Sequence, residues 1–120
     1  MTTARTTLVA ARALIGAGAS LAPRATARLI GVHLPERVPQ LYTDRLFGTR
    51  ELALAWLQGT AQGEERERLR TLGVTVDLLD AGWAVVAGVR GHLPARTALF
   101  WTAAGLGAAA LGVLAGREEG

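Results

Sequence analysis

Residues 97–116 form a run of twenty residues without a charged side chain, and Arg96 and Arg117 bracket this run. About 20 predominantly apolar residues are what an α-helix needs to cross the roughly 30 Å hydrocarbon core of a bilayer. Phe100 and Trp101 lie near one end of the run, where aromatic side chains are common at membrane interfaces. The run therefore predicts a membrane-spanning helix, with a buried helix of a soluble protein as the alternative.

Three further segments, at about residues 5–22, 44–62 and 67–90, are rich in apolar residues but carry internal charges. They lack strand-like alternation, and Gly or Pro residues separate them, so each predicts a helix. A charge at the bilayer centre costs about 2.5–3.5 kcal/mol on insertion scales, so none of the three qualifies as a span by itself. A soluble bundle, however, would place a charged stripe on every helix, and the last segment has none.

We therefore predict an all-α fold in which residues 1–120 form a single integral membrane domain, multi-pass in the cell membrane, with both termini on one side. Between the first two helices, Arg24 and Arg28 lie beside Leu29 and Ile30. This stretch is either a short interfacial helix or the solvated end of the first helix. The predicted four-helix transmembrane bundle has helices at about residues 5–22, 44–62, 67–90 and 95–116.

The composition excludes several classes of function. The chain has no cysteine, which excludes disulfide scaffolds, thiolate metal sites and cysteine nucleophiles. The net charge is +3, but the arginines are scattered and those within residues 64–70 are interleaved with glutamates, so we expect no nucleic-acid partner. Neither His33 nor His92 belongs to the Glu-x-x-His motif of carboxylate metal bundles, so we expect no metal, and no motif indicates a cofactor.

Polar side chains inside the predicted helices recur at helical spacing, and such groups are expected to face one another, away from lipid. Two arginines against three carboxylates leave a net charge of −1, so one acid, in the aspartate pair, is expected to hold a proton near neutral pH or to need a cation. The residues are Arg12 in the first helix, Arg50, Glu51 and Gln58 in the second, and Asp77 and Asp80 in the third.

These residues point to a site for acid–base chemistry or ligand binding inside the bundle. The alternative is that Arg–Glu and Arg–Asp bridges only specify how the helices pack. A separate face of small residues in the last helix, Ala104, Ala108, Gly112 and Gly116, is suited to close packing. The expected catalytic residues are Asp77, Asp80 and Glu51, and the expected substrate-binding residues are Arg12, Arg50, Gln58 and Trp83.

Four short motifs extend over nearly the whole chain: Arg12…Gly16, Pro23…Gly31-Val32, Gly48-Thr49-Arg50-Glu51 at the opening of the second helix, and Asp77…Asp80. In these motifs the chain resembles small four-helix bacterial membrane proteins of a family defined as a domain of unknown function, which are distantly similar to DoxX-like membrane proteins. The resemblance implies a four-helix integral membrane fold with Arg, Glu and Asp as its polar signature. It implies no substrate.

Three functions are compatible with this pattern. The first is binding of a lipophilic small molecule at the intramembrane Arg/Glu/Asp site, with acid–base catalysis of a cyclase or isomerase type. The second is a proton-coupled small transporter or efflux component that works as a homo-oligomer. The third is a non-catalytic subunit that stabilises a membrane complex through a partner subunit. All three place the chain in a lipid bilayer.

Overall fold

The computed structural model describes residues 2–31 and 38–119. All the regular structure in these residues is α-helical, which confirms the all-α prediction. The described residues contain five helices rather than the four that we predicted. They are α1 (Thr3–Leu21), α2 (Pro23–Ile30), α3 (Val38–Thr60), α4 (Glu64–Val89) and α5 (Ala95–Glu119).

The additional helix is α2, and proline separates it from α1. Pro23 has no N–H to continue the hydrogen-bond ladder of α1, but its fixed φ suits the first position of a new helix. Gly31 ends α2 in the left-handed region, at φ 75°, and its N–H donates to the carbonyl of Arg28 at 3.3 Å. The stretch after α1 is therefore a distinct helix and not the solvated end of the first one. Val32 and His33, which follow, lie outside the described residues.

The other helix boundaries differ modestly from the prediction. α3 begins at Val38 rather than near residue 44, so Gly48 lies well inside this helix and does not open it. α4 begins at Glu64 rather than near 67, because three glutamates in its first turn interact favourably with the N-terminal end of the helix dipole. The turn between α4 and α5 uses Gly91 at φ 74°, a conformation that glycine adopts without strain.

The chain divides into two compact units, which we describe separately. Val9–Thr60 forms the α1/α3 unit, which includes α2. Met1–Leu8 and Ala61–Gly120 form the α4/α5 unit.

In the α4/α5 unit the two long helices pack antiparallel through small residues. Contact positions on α5 recur every seven residues, the spacing that keeps one face of a helix against a neighbour. The predicted small-residue face of the last helix is thus correct at Gly112 and Gly116, which lie against Val74 and Arg70, but it continues through Gly105 and Ala98 rather than through Ala104 and Ala108. At the glycines of this contact, Gly88 lies against Ala98, Gly105 against Asp77 and Ala81, and Gly112 against Val74.

Two helices of the described chain, Glu64–Val89 and Ala95–Glu118, are long and apolar enough to cross a membrane. The other helices do not meet the same criterion. α3 carries four charged residues within residues 44–51, and the arginines and threonines of α1 make it less apolar. By length and composition, two spans are therefore supported and the predicted four are not established.

The tight α4–α5 contact predicts opposite effects for two identical substitutions in α5. A Cβ atom at Gly105 would lie 2.7 Å from the carbonyl oxygen of Asp77, whereas a Cβ at Gly107 would meet no atom within 4 Å. We expect Gly105→Ala to destabilise the protein by about 1–3 kcal/mol, because the backbones must separate. Gly107→Ala should stabilise it by up to about 1 kcal/mol through helix propensity. Thermal unfolding in detergent measures both, and equal shifts would contradict this packing.

Candidate functional site

The candidate site lies in the α1/α3 unit, where two helices approach closely at glycines. A Cβ atom on Gly16 of α1 would lie 2.8 Å from the carbonyl oxygen of Gly48 and 2.8 Å from the amide nitrogen of Leu52. Ser20 contacts Gly48 on one side of this crossing, and Val9 lies near Gly59 on the other, so α1 and α3 run antiparallel. The crossing brings the two backbones into direct contact, and side chains one turn away can therefore reach across.

Arg12, one turn from Gly16, makes two polar contacts with α3. Its Nη1 donates to Oε2 of Glu51 at 3.0 Å, and its Nε donates to Oε1 of Gln58 at 2.9 Å. The Arg12 side chain is 3% exposed and that of Glu51 is 8% exposed, so this ion pair is buried. Buried charges are tolerated when they are paired and hydrogen-bonded, and the Gln58 amide helps to hold the guanidinium in place.

Arg50 extends the ion pair toward the surface. Its Nη2 donates to Oε1 of Glu51 at 3.3 Å, so each oxygen of this carboxylate accepts a bond from a different guanidinium. The Arg50 side chain is 41% exposed, and its Cζ lies 5.1 Å from the centroid of the Phe47 ring. This distance is typical of a cation–π contact. We call Arg12, Arg50, Glu51 and Gln58 the Glu51 network.

The chemistry available to the Glu51 network follows from its donors and acceptors. A guanidinium has only donors and does not lose its proton in proteins, so Glu51 is the member that can exchange a proton. The exposed part of Arg50 can donate hydrogen bonds to an acceptor oxygen outside the network. The arrangement therefore suits electrostatic recognition of a carbonyl or carboxylate group, and proton exchange is confined to one carboxylate.

The two aspartates expected in the site lie in the α4/α5 unit. Asp77 is buried on the face of α4 that also holds Gly73 and Ala81, whereas Asp80 is only half-buried. The two carboxyl groups are three residues apart on α4 and differ in how deeply they are buried. Their grouping with the Glu51 network in one shared site stays a prediction.

One expected binding residue, Trp83, is not buried. The Trp83 side chain is exposed on α4, so the structure gives it no place among the buried polar residues of its own unit. Gln62, four residues after Gln58, follows the end of α3 and is exposed. Among the described residues, no three His, Asp or Glu side chains are grouped as metal ligands would be.

Sequence reasoning missed two arginines of the α4/α5 unit. Arg5 is buried, and its Nη2 donates to the carbonyl of Ala61 at 3.0 Å. Arg70 binds Glu67 on its own helix, and its Nη1 donates to the carbonyl of Gly112 at 3.2 Å, which links α4 to α5. The three-residue spacing of Glu67 and Arg70 could have indicated the first of these contacts.

Comparisons with protein-family models, with curated proteins and with solved structures gave no match to this chain. The resemblance to small four-helix membrane proteins therefore stays a prediction.

The buried ion pair predicts strong coupling between Arg12 and Glu51. Arg12→Met or Glu51→Leu alone should destabilise the protein by about 3–5 kcal/mol, because each leaves an uncompensated buried charge. The double variant should lose less than the sum of the two, with a coupling energy of about 1–3 kcal/mol in unfolding experiments in detergent. Arg45→Met, at an exposed position of α3, is the control and should change stability little. Strict additivity would show that the two residues act independently.

Proposed function

We propose that this chain is an integral membrane protein that crosses the bilayer with α1, α3, α4 and α5 and binds a lipophilic small molecule beside the Glu51 network. In this proposal α2 lies in the membrane interface.

The distribution of large and small side chains supports the membrane location. In the α4/α5 unit the buried residues are mostly small, such as Ala81 and Ala109, whereas Trp83 and Leu99 are exposed. The α1/α3 unit follows the same rule, with a charged network inside and Trp56 outside. Soluble domains bury their large apolar side chains, so this inverted distribution fits a surface covered by lipid.

The burial of the two apolar helices supports the same location. A core helix of a soluble protein can meet the same length and hydropathy criteria, but the rest of its fold encloses it. Only 22% of each apolar window in α4 and α5 is buried, so most of this apolar surface has no protein cover. Lipid would cover it.

The observation that carries the ligand proposal is the half-exposed guanidinium of Arg50, which is bonded to a nearly buried carboxylate. A ligand with an oxygen acceptor and an apolar body would place the oxygen against Arg50 and the body along the exposed apolar surface of α3 near Phe47. Arg50 would polarise the oxygen, and the Glu51 carboxylate would accept a proton from the ligand and return it to the ligand in an acid–base reaction. Asp77 and Asp80 remain proposed as a proton-exchanging pair in α4.

A non-catalytic membrane subunit is the second candidate. The observation that favours it is that both oxygens of Glu51 already accept bonds from arginines of the same unit. Such a network holds α1 against α3 without any ligand. Ligand labelling, described below, distinguishes the two candidates.

Fractionation tests the membrane location. The full-length protein should sediment with membranes during high-speed centrifugation, should resist extraction with alkaline carbonate, and should dissolve in mild detergent. The physical reason is that lipid covers the exposed apolar surface of α4 and α5. Recovery of folded protein in the supernatant without detergent would refute the proposal.

Photolabelling tests the ligand. A diazirine-bearing fatty acid supplies a carboxylate for Arg50 and an apolar chain for the surface of α3. We expect a saturable fraction of labelling on α1 or α3 that excess oleate removes, and Arg50→Gln should reduce that fraction about tenfold or more, the loss typical of a charge-assisted hydrogen bond. Arg45→Gln, an exposed arginine in the same helix, is the matched control. Labelling that is unsaturable, or equal in the two variants, would favour the subunit instead.

A further inference from the structure

α2 is attached to the α1/α3 unit on one side only. Pro23 and Ala27 are buried, and Thr26 contacts Gly18 near the end of α1. A glycine at position 18 leaves the space that Thr26 occupies, so the contact fixes which side of α2 faces its own unit. The other side of the eight-residue helix is exposed.

The exposed side of α2 combines two arginines with large apolar side chains. Arg24 and Arg28 are both exposed and four residues apart, which places them on the same side of the helix. Neither guanidinium makes a hydrogen bond or ion pair with the residues that the structure describes. Leu29, next to Arg28, is 88% exposed, and Leu21, the last residue of α1 just before α2, is 82% exposed.

Along the sequence, the charge of α2 is positive and has no acidic residue close by. The sequence contains no Asp or Glu before Glu36, so the arginines of α2 have no acidic neighbour along the first 35 residues. The other arginine-rich stretch, residues 64–70, differs in this respect because glutamates alternate with its arginines. Its positive charge is therefore neutralised locally.

We propose that α2 binds the phosphate headgroups of anionic phospholipids, with Arg24 and Arg28 against the phosphates and Leu21 and Leu29 inserted among the acyl chains. The chemistry is that of a basic amphipathic helix, in which apolar insertion and attraction to anionic lipid act together. Arginine suits this task because its planar guanidinium binds phosphate oxygens through two parallel hydrogen bonds. The inference rests on the proposed membrane location and adds a specific lipid class to it.

The experiment measures lipid-dependent thermal stability of the purified full-length protein in detergent. Phosphatidylglycerol should raise the melting temperature of the wild type more than phosphatidylcholine does. In Arg24→Gln/Arg28→Gln the mole fraction of phosphatidylglycerol at half-maximal stabilisation should rise roughly 30-fold, since each arginine near an anionic surface contributes about a fivefold factor. Arg24→Lys/Arg28→Lys keeps the charge and should retain most of the preference.

The matched control is Arg68→Gln/Arg117→Gln, which removes the same net charge at two exposed arginines of the α4/α5 unit. This variant should keep the wild-type preference. Equal stabilisation by the two lipids in the wild type, or equal losses in the α2 variant and the control, would overturn the inference. A variant with a lower melting temperature in every lipid still tests it, because the readout is the difference between the two lipids.

The result that would refute the proposed function differs from the result that would refute the role of α2. Protein found in the supernatant without detergent refutes the membrane location itself. Protein that sediments with membranes but shows no preference for phosphatidylglycerol refutes only the role of α2.

Discussion

The contact between Arg12 and Glu51 is the interaction on which the α1/α3 unit depends. Removing two such charges from water costs several kcal/mol per ion, and only close, well-directed contacts offset that cost. The direct approach of Gly16 to Gly48 makes the contact possible, because a methyl group at either position would push the helices apart. The glycine contact and the ion pair therefore depend on each other. If the helices separated, the ion pair would break and leave charged groups inside the unit without their partners.

The α4/α5 unit shows the same close approach at a glycine. Gly105 lies against the backbone of Asp77, and the larger side chains point outward. In water this arrangement would forgo the burial of apolar surface that drives folding, whereas in lipid helix association depends on van der Waals packing of small residues. The small-residue contacts of both units are compatible with this kind of packing, and among the described helices α4 and α5 have the length and apolarity of spans.

The sequence predicted the features that depend on a single helix. Helical spacing identified the face of α3 that holds Glu51 and Gln58, and the long uncharged run identified α5. It could not predict which glycine of α3 meets Gly16, because that depends on how two helices cross. The seven-residue series on α5 and the exposure of Trp83 escaped prediction for the same reason. The proline after α1 did contain the signal for α2, but propensity alone did not separate a new helix from a frayed end.

Arg50 is where the structural and functional interpretations of the Glu51 network diverge. A buried ion pair is a poor device for stability, since apolar residues of similar volume often stabilise a fold as well or better. Arg12 already supplies one guanidinium to Glu51, and Arg50 adds a second at the surface of the unit. Within a bilayer, the exposed part of a guanidinium is expected to face water, a headgroup or a polar ligand rather than lipid tails. A network built only to hold two helices together would not need an exposed guanidinium, which is why our proposal puts the ligand on the Arg50 side of Glu51.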